Sequence, residues 1–374
     1  MYDNVMNVSE AVCTGCSACM NVCPYDAISM KYNEEGFLMP FVDENKCIDC
    51  GKCVKKCPSL HIRHKNRKDP TIFAVMAEND IRSKSSSGGM FTLLAEKILD
   101  QGGLVCGAAF DDDFRLSHVL IDSKSGLEPL KKSKYVQSNI DYIYREIKNA
   151  LDMGKKVLFV GTPCQVAGAK AYVGYRYYNF FTVDILCHGV PSDMVFRKYV
   201  EEVSARHTGR NSALKDIQFR NKDFGWNCST IYMEFEGCDK PYVNSEKDGD
   251  MFEYAYHHSL MLRKSCGNCK FASYPRQGDI SMGDFWSISK LDRSMNDKNG
   301  TSIVFVNNDK GMKLFLLVCS RFKKFKKMSV EPRRIVNRIR AKQHVNKHRD
   351  SFLQMVRIKT LEEAIDSVRT ENKE

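Results

Sequence analysis

One cysteine pattern occurs twice near the start of the chain. Residues 13–24 read CTGCSACMNVCP and residues 47–58 read CIDCGKCVKKCP. Both are C-x2-C-x2-C-x3-C-P, a spacing that aims three thiolates at one four-iron cubane while the fourth, in the short helical turn that follows, reaches a second cubane. The pattern predicts crosswise ligation. Cys13, Cys16, Cys19 and Cys57 are expected to hold one [4Fe-4S] cluster, and Cys47, Cys50, Cys53 and Cys23 the other. Pro24 and Pro58 stop the turns where no amide donor is needed. Paired zinc sites also use C-x2-C steps, but they have no need of a repeated third and fourth cysteine followed by proline.

Residues 27–43, AISMKYNEEGFLMPFVD, alternate weakly about Glu35-Gly36 and predict a hairpin joining the two loops. Residues 1–60 thus form a small two-cluster, ferredoxin-like domain. HIRHKNRKDP, residues 61–70, is polar, basic and ends in proline, so it reads as an exposed linker. Strands then alternate with helices. TIFAVMA, LVCGAAF, KKVLFVG and FFTVDILC read as strands, and MFTLLAEKILD, DYIYREIKNALDMG and SDMVFRKYVEEVSAR as helices. Phe91, Leu94 and Ile98 share one helical face. IQFRNK and STIYMEFEG suit an antiparallel pair. The fold class is therefore α+β / α/β: a small N-terminal domain before a larger mixed α/β region.

Cysteine use and charge narrow the setting. Eight of the 16 cysteines lie between residues 13 and 57, and the start MYDNVMNVSE lacks the basic and apolar regions of a signal peptide. A reducing cytoplasmic location is expected. The longest apolar runs, such as LFLLVC, fall short of the roughly twenty residues of a spanning helix, so no transmembrane segment is expected. Residues 321–349 hold twelve Lys or Arg and one acid, Glu331, which accounts for the whole net charge of +11. No nucleic-acid motif accompanies them, so nucleic acid is not an expected partner. A solvated helix face is the simplest reading, and a docking surface for an acidic partner the sharper one.

Four places beyond residue 70 could carry chemistry. Ser85-Ser86-Ser87-Gly88-Gly89 opens a helix, where free amides suit a phosphate or a simple N-cap. Gly161-Thr162-Pro163-Cys164-Gln165 stands where a strand turns into a helix, a position that favours a thiolate. The next strand ends in Cys187-His188-Gly189-Val190-Pro191-Ser192, so Cys164 and Cys187 would face one crevice at the strands' carboxyl ends. Cys266-Gly267-Asn268-Cys269 is a further C-x2-C step in need of company, which Cys164 with Cys187, or Cys228 with Cys238, could supply. Zinc and a redox-active dithiol stay open for it. Cys106 and Cys319 lie in apolar segments and read as core.

RSKSSSGGMFTLLAEKIL, KKSKYVQS, GTPCQVAG, ILCHGVPS, RKSCGNCKFA and GDISMGDFW, in this order, resemble the beta-subunit family of coenzyme F(420) hydrogenases and dehydrogenases, from about Thr71 to at least Asn307. The resemblance implies a flavin-binding region in two parts, residues 71–150 and 151–330; the basic extension read after it, 331–374, matches nothing in the family. It implies a third [4Fe-4S] cluster on Cys164, Cys187, Cys266 and Cys269 beside FAD. It also implies that Ser87, Gly88, Lys134, Tyr135, Gln137, Ser138, Gly161, Thr162 and Gln165 line the flavin region.

The expected function is that of an iron-sulfur flavoprotein oxidoreductase. FAD would exchange hydride with a diffusible donor or acceptor, a deazaflavin, a nicotinamide or another, while the clusters pass single electrons to or from a redox partner protein. A non-catalytic electron-relay subunit is the alternative. Acyl transfer with Cys164 as nucleophile and His188 as base lacks an orienting third group.

Overall fold

The computed structural model describes residues 4–63, 65–331, 335 and 346–370. The N-terminal module is built on the expected hairpin. β1 (Ile28–Tyr32) and β2 (Leu38–Val42) pair antiparallel from Ile28 opposite Val42 to Tyr32 opposite Leu38. Val5, Val8, Met20, Ile28, Val42 and Cys53 form its small core. Such a core is too small to carry a fold alone, and metal ligation is the usual supplement.

The rest of the chain is organised by one eight-stranded sheet. Its strands are β3 (Thr71–Ala77), β4 (Leu104–Phe110), β5 (Leu116–Ile121), β6 (Val157–Gly161) and β7 (Phe180–Ile185). After three strands of a second sheet, β8 (Leu214–Gln218), β9 (Ile231–Phe235) and β10 (Tyr242–Asn244), it is completed by β11 (Ile280–Asp284), β12 (Ser302–Val306) and β13 (Phe322–Lys327). The order is β13-β3-β12-β11-β7-β6-β4-β5. The middle four, β11, β7, β6 and β4, run parallel, and the flanking strands pair antiparallel. Strands on both sides of residue 150 therefore share one sheet. VLFVG in β6 is buried throughout, as befits a parallel strand covered on both faces. Leu93, Leu94, Ala95 and Ile98 of the helix Met90–Leu99 pack on one face. The helices Ile143–Asp152 and Pro163–Val173 cover the other.

β8 and β9 do pair antiparallel, with β10 added, as the sequence suggests. Helices Asp193–Thr208 and Met251–His257 pack on this sheet. So do two C-terminal helices, Arg349–Val356 and Leu361–Thr370, which bury Phe352, Leu353, Val356, Leu361, Ala364, Ile365 and Val368. The last part of the basic extension thus belongs to a core. Of the twelve bases in residues 321–349, the five at 333–342 lie outside the described residues. Four more, Lys323, Lys324, Lys326 and Lys327, lie in β13, an exposed edge strand, FKKFKK, whose lysines discourage pairing with another chain.

The N-terminal module is bonded to the body at many points. Tyr144 Oη donates to Cys16 O at 3.0 Å and Gln165 O at 2.8 Å. Arg145 donates to the carbonyls of Met20, Asn21 and Cys23. At the hairpin tip Ser192 Oγ donates to Glu35 O at 2.5 Å, and buried Arg349 pairs with the Glu35 carboxylate. Residues 61–70 are not a loose tether. Asn66 Nδ2 donates to the carbonyls of Arg276 and Gly278 at 2.8 and 2.7 Å, and the Arg67 amide to Asn307 O at 3.1 Å.

Candidate metal centres and cavity

Three groups of four cysteines form in succession. The outer group, Cys23, Cys47, Cys50 and Cys53, lines a small pocket with Pro24, Ile28 and Gly51. Cys50 is exposed, so this group reaches the surface. In the middle group burial raises the Cys19 thiol well above its ordinary range, and the neighbouring Cys16, Cys13 and Cys57 add to the rise. The inner group unites Cys164 in the first turn of Pro163–Val173, Cys187 beyond β7, and Cys266 with Cys269 around the turn Lys264–Asn268. That turn is held by the Arg263 amide on Val190 O at 2.8 Å. Burial, then Cys266, Cys164 and Cys269, push the Cys187 thiol well up. Burial and Cys269 push Cys266 to about 12.

Cys164 corrects the expectation of a thiolate favoured by its helix N-terminus. Burial and the charge of Cys269 outweigh the Thr162 hydroxyl, which lies 3.1 Å from Sγ, and raise the thiol to about 11. A nucleophilic role for it loses its physical basis, since the thiolate is the reactive form. The crowding of thiols that cannot ionise one by one suits a metal, which takes all of them as thiolates. The outer quartet borders a small pocket, and Cys164 and Cys187 of the inner one border a larger cavity. Among the described residues no three His, Cys, Asp or Glu stand close enough to share a single ion. Cys228 is exposed and Cys238 Sγ bonds Lys240 O at 3.3 Å; the cysteine charges bearing on Cys266 are those of Cys269 and Cys164.

The middle group packs on the helix that carries Cys164. Cys16 senses Cys164, and the Tyr144 hydroxyl, bonded to Cys16 O, senses both. Gly168 permits this approach: a Cβ there would lie 3.2 Å from Cys16 O and 3.0 Å from Tyr144 Oη.

A cavity of about 710 Å³ opens where β4, β6, β7 and β11 end, and Cys164 and Cys187 stand in its wall. That is the usual place for a ligand in an open parallel sheet, and the volume falls in the usual range for small-molecule sites. Of the nine expected cofactor residues, Ser87, Lys134, Tyr135, Gln137, Ser138, Gly161, Thr162 and Gln165 line it. Gly88 does not. Its amide donates to Ser302 Oγ at 2.8 Å, and a Cβ would strike Ser302 N at 2.5 Å, so it forms the floor under the serine turn. The helix Met90–Leu99 turns its uncapped first turn to the cavity. Ser86 Oγ accepts the Ser133 amide at 2.7 Å, which brings Lys131, Lys132 and Lys134 to the same end. Burial, with Lys132 adjoining, lowers the Lys134 ammonium to about 7. Gln165 and Thr162 form a capping box that fixes the helix bearing Cys164.

Sequence reading misses part of the wall. Arg220, inside IQFRNK, pairs with Asp284 at 3.0 Å and lies 4.7 Å from the ring centre of Trp286, which stacks on Trp226 at 4.9 Å. Asp284 and Trp286 belong to GDISMGDFW, so the motif carried the signal without their roles. Buried His118 sits between Ser138 Oγ at 2.7 Å and Val160 O at 3.1 Å. A carbonyl only accepts, so Nε2 donates and Nδ1 accepts. Burial lowers its pKa to about 4, leaving it neutral.

Family models match three stretches of the chain. Residues 12–60 match a 4Fe-4S dicluster domain. Residues 71–143 match the N-terminal part, and 154–329 the C-terminal part, of the coenzyme F(420) hydrogenase/dehydrogenase beta subunit. The chain belongs to that beta-subunit family and carries the dicluster domain before it. It is similar to the coenzyme F(420)-dependent sulfite reductase of Methanocaldococcus jannaschii, 23% identical over 318 residues. That match covers 83% of this chain and 47% of the relative, so the chain spans about half the relative's length. A solved chain of the F(420)-reducing [NiFe] hydrogenase complex from Methanosarcina barkeri is 19% identical with a TM-score of 0.49, over 76% of this chain and 91% of that one. Among the described residues no helix is long and apolar enough to cross a membrane.

Proposed function

We propose that the protein is an iron-sulfur flavoprotein oxidoreductase with FAD in the 710 Å³ cavity, a third [4Fe-4S] cluster on the inner cysteines, and the two module clusters beyond it. One observation carries the reading: the cavity wall includes Cys164 and Cys187, and the helix bearing Cys164 packs against Cys16 of the next quartet. Bound there, FAD supplies an exchange between hydride and single electrons. The chain's own residues do the rest. The first turn of Met90–Leu99 and Lys131, Lys132 and Lys134 suit the negative phosphates. The capping box of Thr162 and Gln165 fixes the direction of the Cys164 helix, and neutral His118 supports Ser138 in the wall. The outer quartet, exposed at Cys50, suits exchange with a redox partner protein, and the cavity mouth suits a diffusible hydride donor or acceptor such as a deazaflavin or nicotinamide.

The test uses anaerobically purified full-length protein, assayed for iron, sulfide, zinc and released flavin, then mixed with reduced deazaflavin or nicotinamide. Flavin bleaching and cluster reduction should proceed together. Protein that keeps its iron yet neither contains nor takes up FAD overturns the proposal in favour of an electron relay.

A further inference from the structure

Among the described residues five arginines are buried: Arg82, Arg220, Arg263, Arg276 and Arg349. Four face carboxylates, namely Asp297, Asp284, Asp184 and Glu35 in that order. Arg263 differs. It is 2% exposed, and its side chain donates only to neutral acceptors: Cys13 O at 2.9 Å, Leu38 O at 3.0 Å, Gln137 Oε1 at 3.3 Å and Met39 Sδ at 2.8 Å. A guanidinium stays charged in a protein, and a buried charge without a counter-charge is strongly unfavourable. Something anionic must therefore face it in the finished protein.

We infer that the inner cysteine quartet is that anion, and that Arg263 is a positioning residue which supplies the quartet's fixed counter-charge and raises the reduction potential of the cluster held there. The inference rests on the third-cluster reading above. Arg263 begins the turn that bears Cys266 and Cys269. The Cys266 amide donates to Arg263 O at 2.9 Å, which ties the residue to the thiols of that turn. Iron binding turns such thiols into thiolates outright, which creates negative charge beside the guanidinium. Adding an electron makes the site more negative still, and a fixed positive charge nearby favours that state. The same side chain grips Cys13 O, so one guanidinium spans the joint between the middle and inner quartets. Two further features keep it in place. The loop glycine Gly15, at φ +66°, has no room for a Cβ, which would come within 2.9 Å of Arg263 Nη1. The Arg263 amide is held by Val190 O at 2.8 Å.

Three full-length variants test this, each reconstituted anaerobically and titrated with dithionite under paramagnetic resonance. Arg263→Gln removes the charge, Arg263→Lys keeps it, and Gln137→Glu sets a carboxylate against an unaltered Arg263. The inner cluster's midpoint potential should become more negative in Arg263→Gln and in Gln137→Glu, and stay near the wild-type value in Arg263→Lys. If Arg263→Gln loads no iron while Arg263→Lys does, the requirement for charge is confirmed; if neither loads, Gln137→Glu decides. Unmoved potential in Gln137→Glu with its clusters intact, or equal shifts in Arg263→Lys and Arg263→Gln, overturns the inference. Wild-type protein without an inner-cluster signal overturns the third cluster itself, which is a different result.

Discussion

At the residue scale, two positions convert packing and burial into measurable numbers. Gly15 holds φ +66°, and a Cβ there would fall on Gln137 Nε2 and lie 2.9 Å from both Leu38 O and Arg263 Nη1. Gly15→Ala should destabilise the module's attachment by about 2–4 kcal/mol, the combined scale of left-handed backbone strain and overpacking. The check is the urea midpoint of the anaerobic protein, and an unchanged midpoint refutes the close fit. Lys134 gives a pH dependence. Burial and Lys132 lower it to about 7, so it is charged below that pH and neutral above. Phosphate binding favours the charged form, so affinity of flavin-depleted protein for FAD should fall as pH climbs past 7. Lys134→Met should flatten that profile, and a profile that persists in the variant assigns it elsewhere. The residue scale is also where sequence reading goes furthest and stops most abruptly. Cysteine spacing alone names the outer and middle quartets, because one loop fixes three ligands. Arg263, in RKSCGNC, looks like any surface base, since its burial depends on Leu38 and Gln137, far away in the chain.

At the element scale the legible parts are those whose signal is local. β6 and the helix Met90–Leu99 announce themselves by apolar runs and helical spacing. The segment 61–70 does not, because its composition suits solvent while Asn66 and Arg67 are held by carbonyls more than 200 residues away. The C-terminal helices carry a usable signal in Phe352, Leu353 and Val356, then Leu361, Ala364, Ile365 and Val368, which basic neighbours obscure. They also bring Arg349 to the hairpin tip, where its guanidinium meets Glu35, Leu262 O and the Phe37 ring at 5.7 Å. Arg349→Met should therefore cost about 2–3 kcal/mol, below the full scale for a broken buried pair because Glu35 keeps a quarter of its side chain exposed. Hydrogen exchange should quicken first in β1 and β2. Uniform change across the large sheet would mean that the pair does not clamp the hairpin.

At the scale of the whole molecule the three quartets and the cavity form a sequence: exposed Cys50 at one end, Cys16 against Cys164 at the joint, and Cys164 in the cavity wall at the other end. A module swinging on a flexible linker would deliver electrons by collision. Here the hairpin tip, Tyr144, Arg145 and Arg263 fix it, so under the proposed function transfer between the middle and inner sites would need no domain motion. On the proposed three-cluster reading, full loading should give about twelve iron atoms per chain, from three four-iron cubanes. Two paramagnetic centres held at one distance broaden each other's resonance, so fully reduced protein should show interacting signals and not the sum of independent ones. Cys266→Ala should lower the iron to about eight and remove the part of that broadening that comes from the inner centre, while the module's two centres remain. Eight irons in the wild type would remove the third cluster. Twelve irons with a spectrum that Cys266→Ala merely scales down would keep the clusters and refute the fixed joint, because only centres held together lose a mutual interaction when one of them is deleted.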